Sequence, residues 1–243
     1  MKGLAKILRF NPGTDREPYF QDFEYEFSPR ITVLDVLNSI RETMDPSLQY
    51  SYCCRNGHCG LCGVIANGRE VLACRQAAEP VMKIRPLAGS RVLKDLVIDR
   101  EEYGERRAQL RLFLERQCAP QFEPERIDMD AFEMFKTASR CIECMCCVSV
   151  CPVCREKPHL FAGPMALTLL ARHFFDPRDD LNRDLIAKDE GIGHCIECGL
   201  CSGVCPRGAD PARLIKMMKG SGNTGPTADS MLWGKGKEGR SMD

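Results

Sequence analysis

Sulfur carries most of the chemistry open to this chain. Of its 243 residues, 16 are cysteine, and 12 of these fall into three spaced groups. The first runs Cys54-Arg55-Asn56-Gly57-His58-Cys59-Gly60-Leu61-Cys62 and closes at Cys74. The second is Cys141-x-x-Cys144-x-x-Cys147-x-x-x-Cys151-Pro152, and the third repeats it as Cys195-x-x-Cys198-x-x-Cys201-x-x-x-Cys205-Pro206. Soft thiolates at such short intervals suit iron–sulfur ligation. Two ligation patterns on one chain, one of them repeated, predict a built-in electron relay.

The first pattern, C-x4-C-x2-C with a later fourth cysteine, is the plant-type spacing for a [2Fe–2S] cluster. The cluster is small, so three thiolates must converge from one tight turn, for which Gly57, Gly60 and Gly63 give the necessary backbone freedom and close approach. Amides in that turn can point at the sulfurs and tune the potential. Cys74 is expected from a neighbouring strand, after Asn67-Gly68 reverses the chain. The other two patterns follow the bacterial run C-x2-C-x2-C-x3-C-P, whose fourth cysteine ligates the other cluster. Cys141, Cys144 and Cys147 should therefore share a [4Fe–4S] cluster with Cys205. Cys195, Cys198 and Cys201 should share one with Cys151.

Other thiol chemistries fit less well. Zinc takes four ligands and leaves no role for the third cysteine or the C-x3-C-P ending. Disulfide frameworks belong to oxidising compartments and short secreted chains, whereas Met1 to Arg9 is interrupted by charge and lacks a signal-peptide apolar core. A lone redox dithiol at Cys195 and Cys198 is at odds with the surrounding register. The charges balance at 34 basic and 34 acidic side chains, which argues against a nucleic-acid or anionic-membrane surface. The longest apolar runs, such as Met165 to Ala171, are too short to span a bilayer. A soluble cytoplasmic chain is expected, peripheral on a membrane's cytoplasmic face only through partner subunits. No dinucleotide glycine fingerprint, P-loop or catalytic-triad order suggests substrate chemistry, so no catalytic residue is assigned.

The positioning elements read as follows. Residues 2–10 alternate like a strand, Asn11-Pro12-Gly13 turns the chain, and Phe20 to Phe27 alternates again. Thr32 caps an amphipathic helix carrying Val33, Leu34, Val36, Leu37 and Ile40. A further strand is expected near Val81–Arg85, giving an α+β domain to about residue 100. The second half reads as helices between cysteine loops. Leu110, Phe113, Leu114 and Gln117 fall on one helical face; Gly163-Pro164 opens another helix with Leu167, Leu170, Ala171 and Phe174 inward. Asp210-Pro211 starts a helix ending at Gly220. Residues 220–243 are glycine-rich and read as a flexible tail, with Trp233 either incidental or a docking anchor.

These motifs together resemble the iron–sulfur subunit of the succinate dehydrogenase/fumarate reductase family over about residues 2–218. The likeness includes Asn11-Pro12, Gln21-Asp22, Asp45-Pro46-Ser47-Leu48, the CRxGxCGxC run from Cys54, Arg85-Pro86-Leu87 and the segment Val92 to Asp99. It continues through Cys141-Ile142-x-Cys144-x-Cys146-Cys147, Gly163-Pro164 and Cys205-Pro206. The resemblance implies a β-grasp [2Fe–2S] ferredoxin domain over 1–102, an α-helical ferredoxin domain with two clusters over 103–219, and a tail over 220–243. It also implies an FAD-containing flavoprotein partner that interconverts succinate and fumarate, a membrane-anchor subunit or another redox protein, and single-electron passage along three clusters.

Departures from that family pattern concentrate at the third cluster. Relatives have a non-cysteine where this chain has Cys198, and there the cluster is [3Fe–4S]; four thiolates here predict [4Fe–4S], with [3Fe–4S] the outcome if Cys198 does not ligate. Glu156 and Ile196 stand where a tryptophan and a histidine help form the family's quinone pocket, so the acceptor is either a low-potential quinone in an altered pocket or a soluble redox partner. Alternatives are an electron-transfer subunit for a flavoprotein acting on another organic acid or thiol with a soluble redox partner, and a cluster-based redox sensor or binding module. Cys53, Cys118, Cys146 and Cys154 are left over. Cys118 and Cys146 read as small buried apolar residues, Cys53 as an alternative ligand to Cys54, and Cys154 as either filler or a distal-site residue. His58, His194 and Arg55 read as solvated groups beside the clusters, the arginine offsetting cluster charge.

Overall fold

The computed structural model describes residues 1–117 and 127–220. Cys118, Trp233 and all but the first residue of the expected tail lie outside them. The N-terminal half contains β1 (Lys2–Arg9), β2 (Tyr19–Glu26), α1 (Val33–Thr43), β3 (Gly63–Ala66), β4 (Arg69–Leu72) and β5 (Val81–Arg85). These strands form one sheet in the order β2-β1-β5-β3-β4, in which β1 and β5 run parallel and the other pairs antiparallel. A short ribbon, β6 (Val92–Lys94) with β7 (Val97–Ile98), follows. Beyond it come α2 (Glu101–Gln109), α3 (Met129–Ala138), α4 (Cys146–Val150), α5 (Pro152–Glu156), α6 (Gly163–Phe174), α7 (Arg183–Asp189), a 3-10 turn at Ile192–His194, α8 (Leu200–Gly203) and α9 (Pro211–Gly220). A β-grasp sheet followed by a helical domain is the α+β architecture the sequence predicts.

Local chemistry explains the elements. Ala5 and Ile7 of β1 are buried beneath the solvated Lys2 and Lys6, the period-two pattern of a half-buried strand. Helix α1 buries Val33, Leu34, Val36, Leu37 and Ile40. Its start is a capping box in which Thr32 Oγ1 accepts from the Asp35 amide and the Asp35 carboxylate accepts from the Thr32 amide at 2.8 Å. Asn67 and Gly68 join β3 to β4 with φ of 48° and 81°, the left-handed pair a two-residue hairpin requires. In the helical half α6 is central. Its residues from Gly163 to Ala171 are all buried, and it packs against α3, α7 and α9.

Two expectations are corrected. Residues 110–117 are not a helix; the helix lies upstream, at α2. Leu110 is buried but Phe113 is exposed. The carbonyls of Leu110, Arg111 and Phe113 accept hydrogen bonds from the guanidinium of Arg183, itself buried and paired with Asp179. An apolar period of 3.6 is outweighed by a side chain that takes up the carbonyls a helix needs. Cys74 does not lie on a strand: it sits in the turn just after β4. At α9, the side-chain oxygen that accepts a first-turn amide, that of Ala212 at 2.9 Å, is Ser202 Oγ, which in turn donates to Asp210.

One end of the sheet is fastened by a buried cation. Arg9, at the end of β1, donates to Asp95 at 3.0 Å, to Ser47 at 2.9 Å, and to Gln21 and Asp45. Asp95 also accepts from the amides of Phe10 and Gln49. With side-chain exposures of 6% for Arg9 and 2% for Asp95, removing one partner leaves a buried charge unpaired. Arg9→Met is expected to cost about 3–5 kcal/mol in denaturant unfolding. The Ser47 hydroxyl and Arg9 hold the Asp45 carboxyl below its ordinary value. The stability this contributes is therefore complete above the unfolded carboxylate pKa of about 3.9, and is lost as pH falls through the lower folded value.

Candidate iron–sulfur sites

The first cysteine group wraps the turn between α1 and β3. The amides of His58 and Cys59 both donate to Cys54 Sγ at 3.2 Å. Together with the amide of Asn56, the strongest of the three influences, they draw the Cys54 thiol down to about 6. Cys62 and Cys74 are buried with their sulfurs 3.3 Å apart, and burial pushes Cys62 up to about 12. Cys54 is half-buried, whereas the adjacent Cys53 is exposed. The turn depends on left-handed backbone at Gly57 and Gly60, with φ of 80° and 71°.

The second group shares its site with the end of the third. Cys141, Cys144, Cys147 and Cys205 line one cavity, closed on other sides by Met165 and Pro206. Cys205 arrives from beyond α8, and its sulfur accepts from the Ala209 amide at 3.3 Å. Reciprocally, Cys151 lies within charge–charge range of Cys195 and Cys201, as does Cys198 of Cys201. Cys151 and Cys201 are buried, Cys195 is half-buried and Cys198 is exposed.

The two loops repeat in backbone as well as in sequence. Glu143 and Glu197 stand at the same place in each C-x-x-C, with φ of 54° and 56°; Met145 and Gly199 follow with φ of 66° and 78°. A non-glycine residue in this region costs roughly 1–2 kcal/mol, so the shape is held by its surroundings. Each glutamate is anchored by a cation at 2.7 Å, Glu143 by Arg107 and Glu197 by Lys219.

The donor sets fit iron–sulfur clusters: four thiols per site, amides aimed at sulfur, and cradles of left-handed backbone. Thiol acidities suit loading. Hydrogen bonds from Cys146 and Cys154 lower Cys144 and Cys151 respectively. Burial raises Cys141 to about 11 and Cys201 to about 12. Each site thus has one thiol drawn toward its thiolate form, and metal binding would displace the protons of the buried partners into solvent. Cys146 and Cys154 are both buried beside candidate ligands, as small apolar residues would be.

The other residues singled out by sequence lie at the surface. His58, His194, Glu156 and Ile196 are exposed. Arg55 sits over the Tyr52 ring at 5.4 Å. Sequence reasoning missed Arg100, whose guanidinium links the first two cysteine loops, donating to the Gly60 carbonyl at 3.0 Å and the Glu143 carbonyl at 3.3 Å. No sequence pattern marks it.

Residues 4–105 match the family model of a 2Fe-2S iron-sulfur cluster binding domain, and residues 137–209 that of a 4Fe-4S dicluster domain. Fold and site thus define an iron–sulfur electron-transfer protein with both cluster types. Among curated relatives, the fumarate reductase iron-sulfur subunit of Mycobacterium tuberculosis is 32% identical over 228 residues, covering 89% of this chain and 91% of that one. In a complex solved from Mycobacterium smegmatis, the Sdh1 complex in the apo form, a chain superposes with a TM-score of 0.80 at 25% identity, covering 90% of this chain and 94% of that chain. The chain belongs to the family of succinate dehydrogenase and fumarate reductase iron–sulfur subunits. A further relative, a chain of the fumarate reductase (CoM/CoB) of Methanothermobacter marburgensis, is 35% identical over 203 residues. That alignment covers 84% of this chain, which spans only 40% of that relative's length. Among the described residues, no helix is long and apolar enough to cross a membrane.

Proposed function

We propose that this chain relays single electrons between an FAD-containing flavoprotein subunit, which interconverts succinate and fumarate, and a quinone or other redox carrier. Membership of the iron–sulfur subunit family carries this reading. Cys54, Cys59, Cys62 and Cys74 would hold a [2Fe–2S] cluster; Cys141, Cys144, Cys147 and Cys205 a [4Fe–4S] cluster. Cys151, Cys195, Cys198 and Cys201 would hold a third, also [4Fe–4S]. Clusters supply reversible one-electron storage; the chain's own contribution is to place them in sequence and set their potentials through charge and hydrogen bonds. The β-grasp unit, over about 1–102, would face the flavoprotein, and the helical unit, over about 103–219, the distal carrier. A membrane anchor or a second redox protein would supply that carrier, at a surface where Glu156 and Ile196 replace the family's quinone-pocket side chains.

The test is anaerobic purification of the native assembly, identification of its companion polypeptides, and reduction or oxidation with succinate and fumarate. Rapid reversible reduction of the clusters by a dicarboxylate supports the relay and excludes a sensor. The Methanothermobacter relative, whose name couples fumarate reductase to CoM/CoB, favours one second reading: a flavoprotein using a thiol or another organic acid, with a soluble partner. Assays with thiol donors separate the two.

The third cluster has its own test. Cys198→Ser leaves three cysteines, so an oxidised [3Fe–4S] EPR signal should appear in the variant with loss of about one iron. The same signal in the freshly isolated native protein would reject four-thiolate ligation.

A further inference from the structure

We infer that Arg100 is a positioning residue that couples the first cluster loop to the second and raises the reduction potential of the cluster held by Cys141, Cys144, Cys147 and Cys205. The inference rests on that cluster assignment. The two loops meet backbone to backbone: a Cβ added at Gly60 would lie 2.2 Å from the Ile142 carbonyl oxygen and 3.1 Å from Cys144 Cα. Arg100 seals this junction. One arm of its guanidinium donates to the Gly60 carbonyl, between Cys59 and Cys62, and the other to the Glu143 carbonyl, beside Cys144.

Its placement serves charge as well as geometry. Arg100 is half-buried at the start of α2, and its charge lies within electrostatic reach of Cys59, Cys144 and Cys146. Both hydrogen bonds go to neutral carbonyls, so neither cancels that charge. Glu143, the nearby acid, is already paired with Arg107. Thiolate-ligated clusters are anionic and gain further negative charge on reduction. A cation beside them in a partly dehydrated setting therefore favours the reduced state. The planar fork also fixes the two loops relative to each other, which a flexible ammonium would do less well.

The test is an EPR-monitored redox titration of the full chain with its clusters, native against Arg100→Gln and Arg100→Lys. At the potential that half-reduces the native second cluster, Arg100→Gln should show about a tenfold lower reduced-to-oxidised ratio, equivalent to ~59 mV for one electron. Arg100→Lys should recover most of that shift because it keeps the charge. Iron-replete Arg100→Gln with an unchanged potential would overturn the inference. So would loss of iron from both variants, which would make the residue a structural brace only. A native protein lacking the second cluster would instead defeat the ligand assignment, and iron analysis distinguishes these cases.

Discussion

Replacing Cys205 with serine is expected to empty the site built by Cys141, Cys144 and Cys147, although all three stay in place. The cavity those thiols line is completed only by Cys205, from the repeat after α8. A serine hydroxyl is a poor substitute for thiolate toward iron. Iron analysis should then show loss of about four of roughly ten irons, the complement of one [2Fe–2S] and two [4Fe–4S] clusters. EPR should show the third cluster retained. Cys151→Ser should produce the mirror result, sparing the second cluster and losing the third. If Cys205→Ser instead depleted the third cluster, each repeat would feed its own cluster and the crossed assignment would be wrong. Since cluster binding contributes folding free energy, the variant should also unfold at lower denaturant concentration.

Gly60→Ala should destabilise the loaded protein far more than the same change at another left-handed glycine. Two costs combine at Gly60. Its φ of 71° penalises any side chain by roughly 1–2 kcal/mol. The added Cβ would also fall 2.2 Å from the Ile142 carbonyl oxygen, a backbone atom unable to swing aside, and such overpacking costs about 1–3 kcal/mol. Gly68 is the control: its φ is 81° but nothing lies within 4 Å of an added Cβ. Denaturant titrations should therefore place Gly60→Ala below Gly68→Ala by about the overpacking term alone. Equal effects would mean that the two loops do not press together. Any surviving Gly60→Ala protein should show weakened magnetic interaction between its first two clusters, since the loops must part to admit the methyl group.

Much of the fold was legible because local chemistry and tertiary demand agreed. Alternation in Lys2–Arg9, the Thr32 cap, the Asn67-Gly68 hairpin and the Gly163-Pro164 helix start each specify an element by short-range physics, and each element formed. The helix expected at 110–117 did not, because Arg183, some seventy residues away, binds its carbonyls. No local pattern contains that interaction. The short helices α4, α5 and α8 were equally hidden, being held by the cysteine loops around them rather than by helix-forming periodicity.

For the sites, the sequence by itself determined the candidate donor atoms, their grouping and the family, since thiol spacing reflects the size of the inorganic core that the loop would enclose. Only the tertiary structure decided which surfaces meet. It pressed Gly60 against Ile142 and lodged the cation of Arg100 between two loops. Ligand spacing is a short-range property written along the chain. The contacts between loops depend on how distant parts of the chain pack, where burial and charge from remote residues outweigh any local preference.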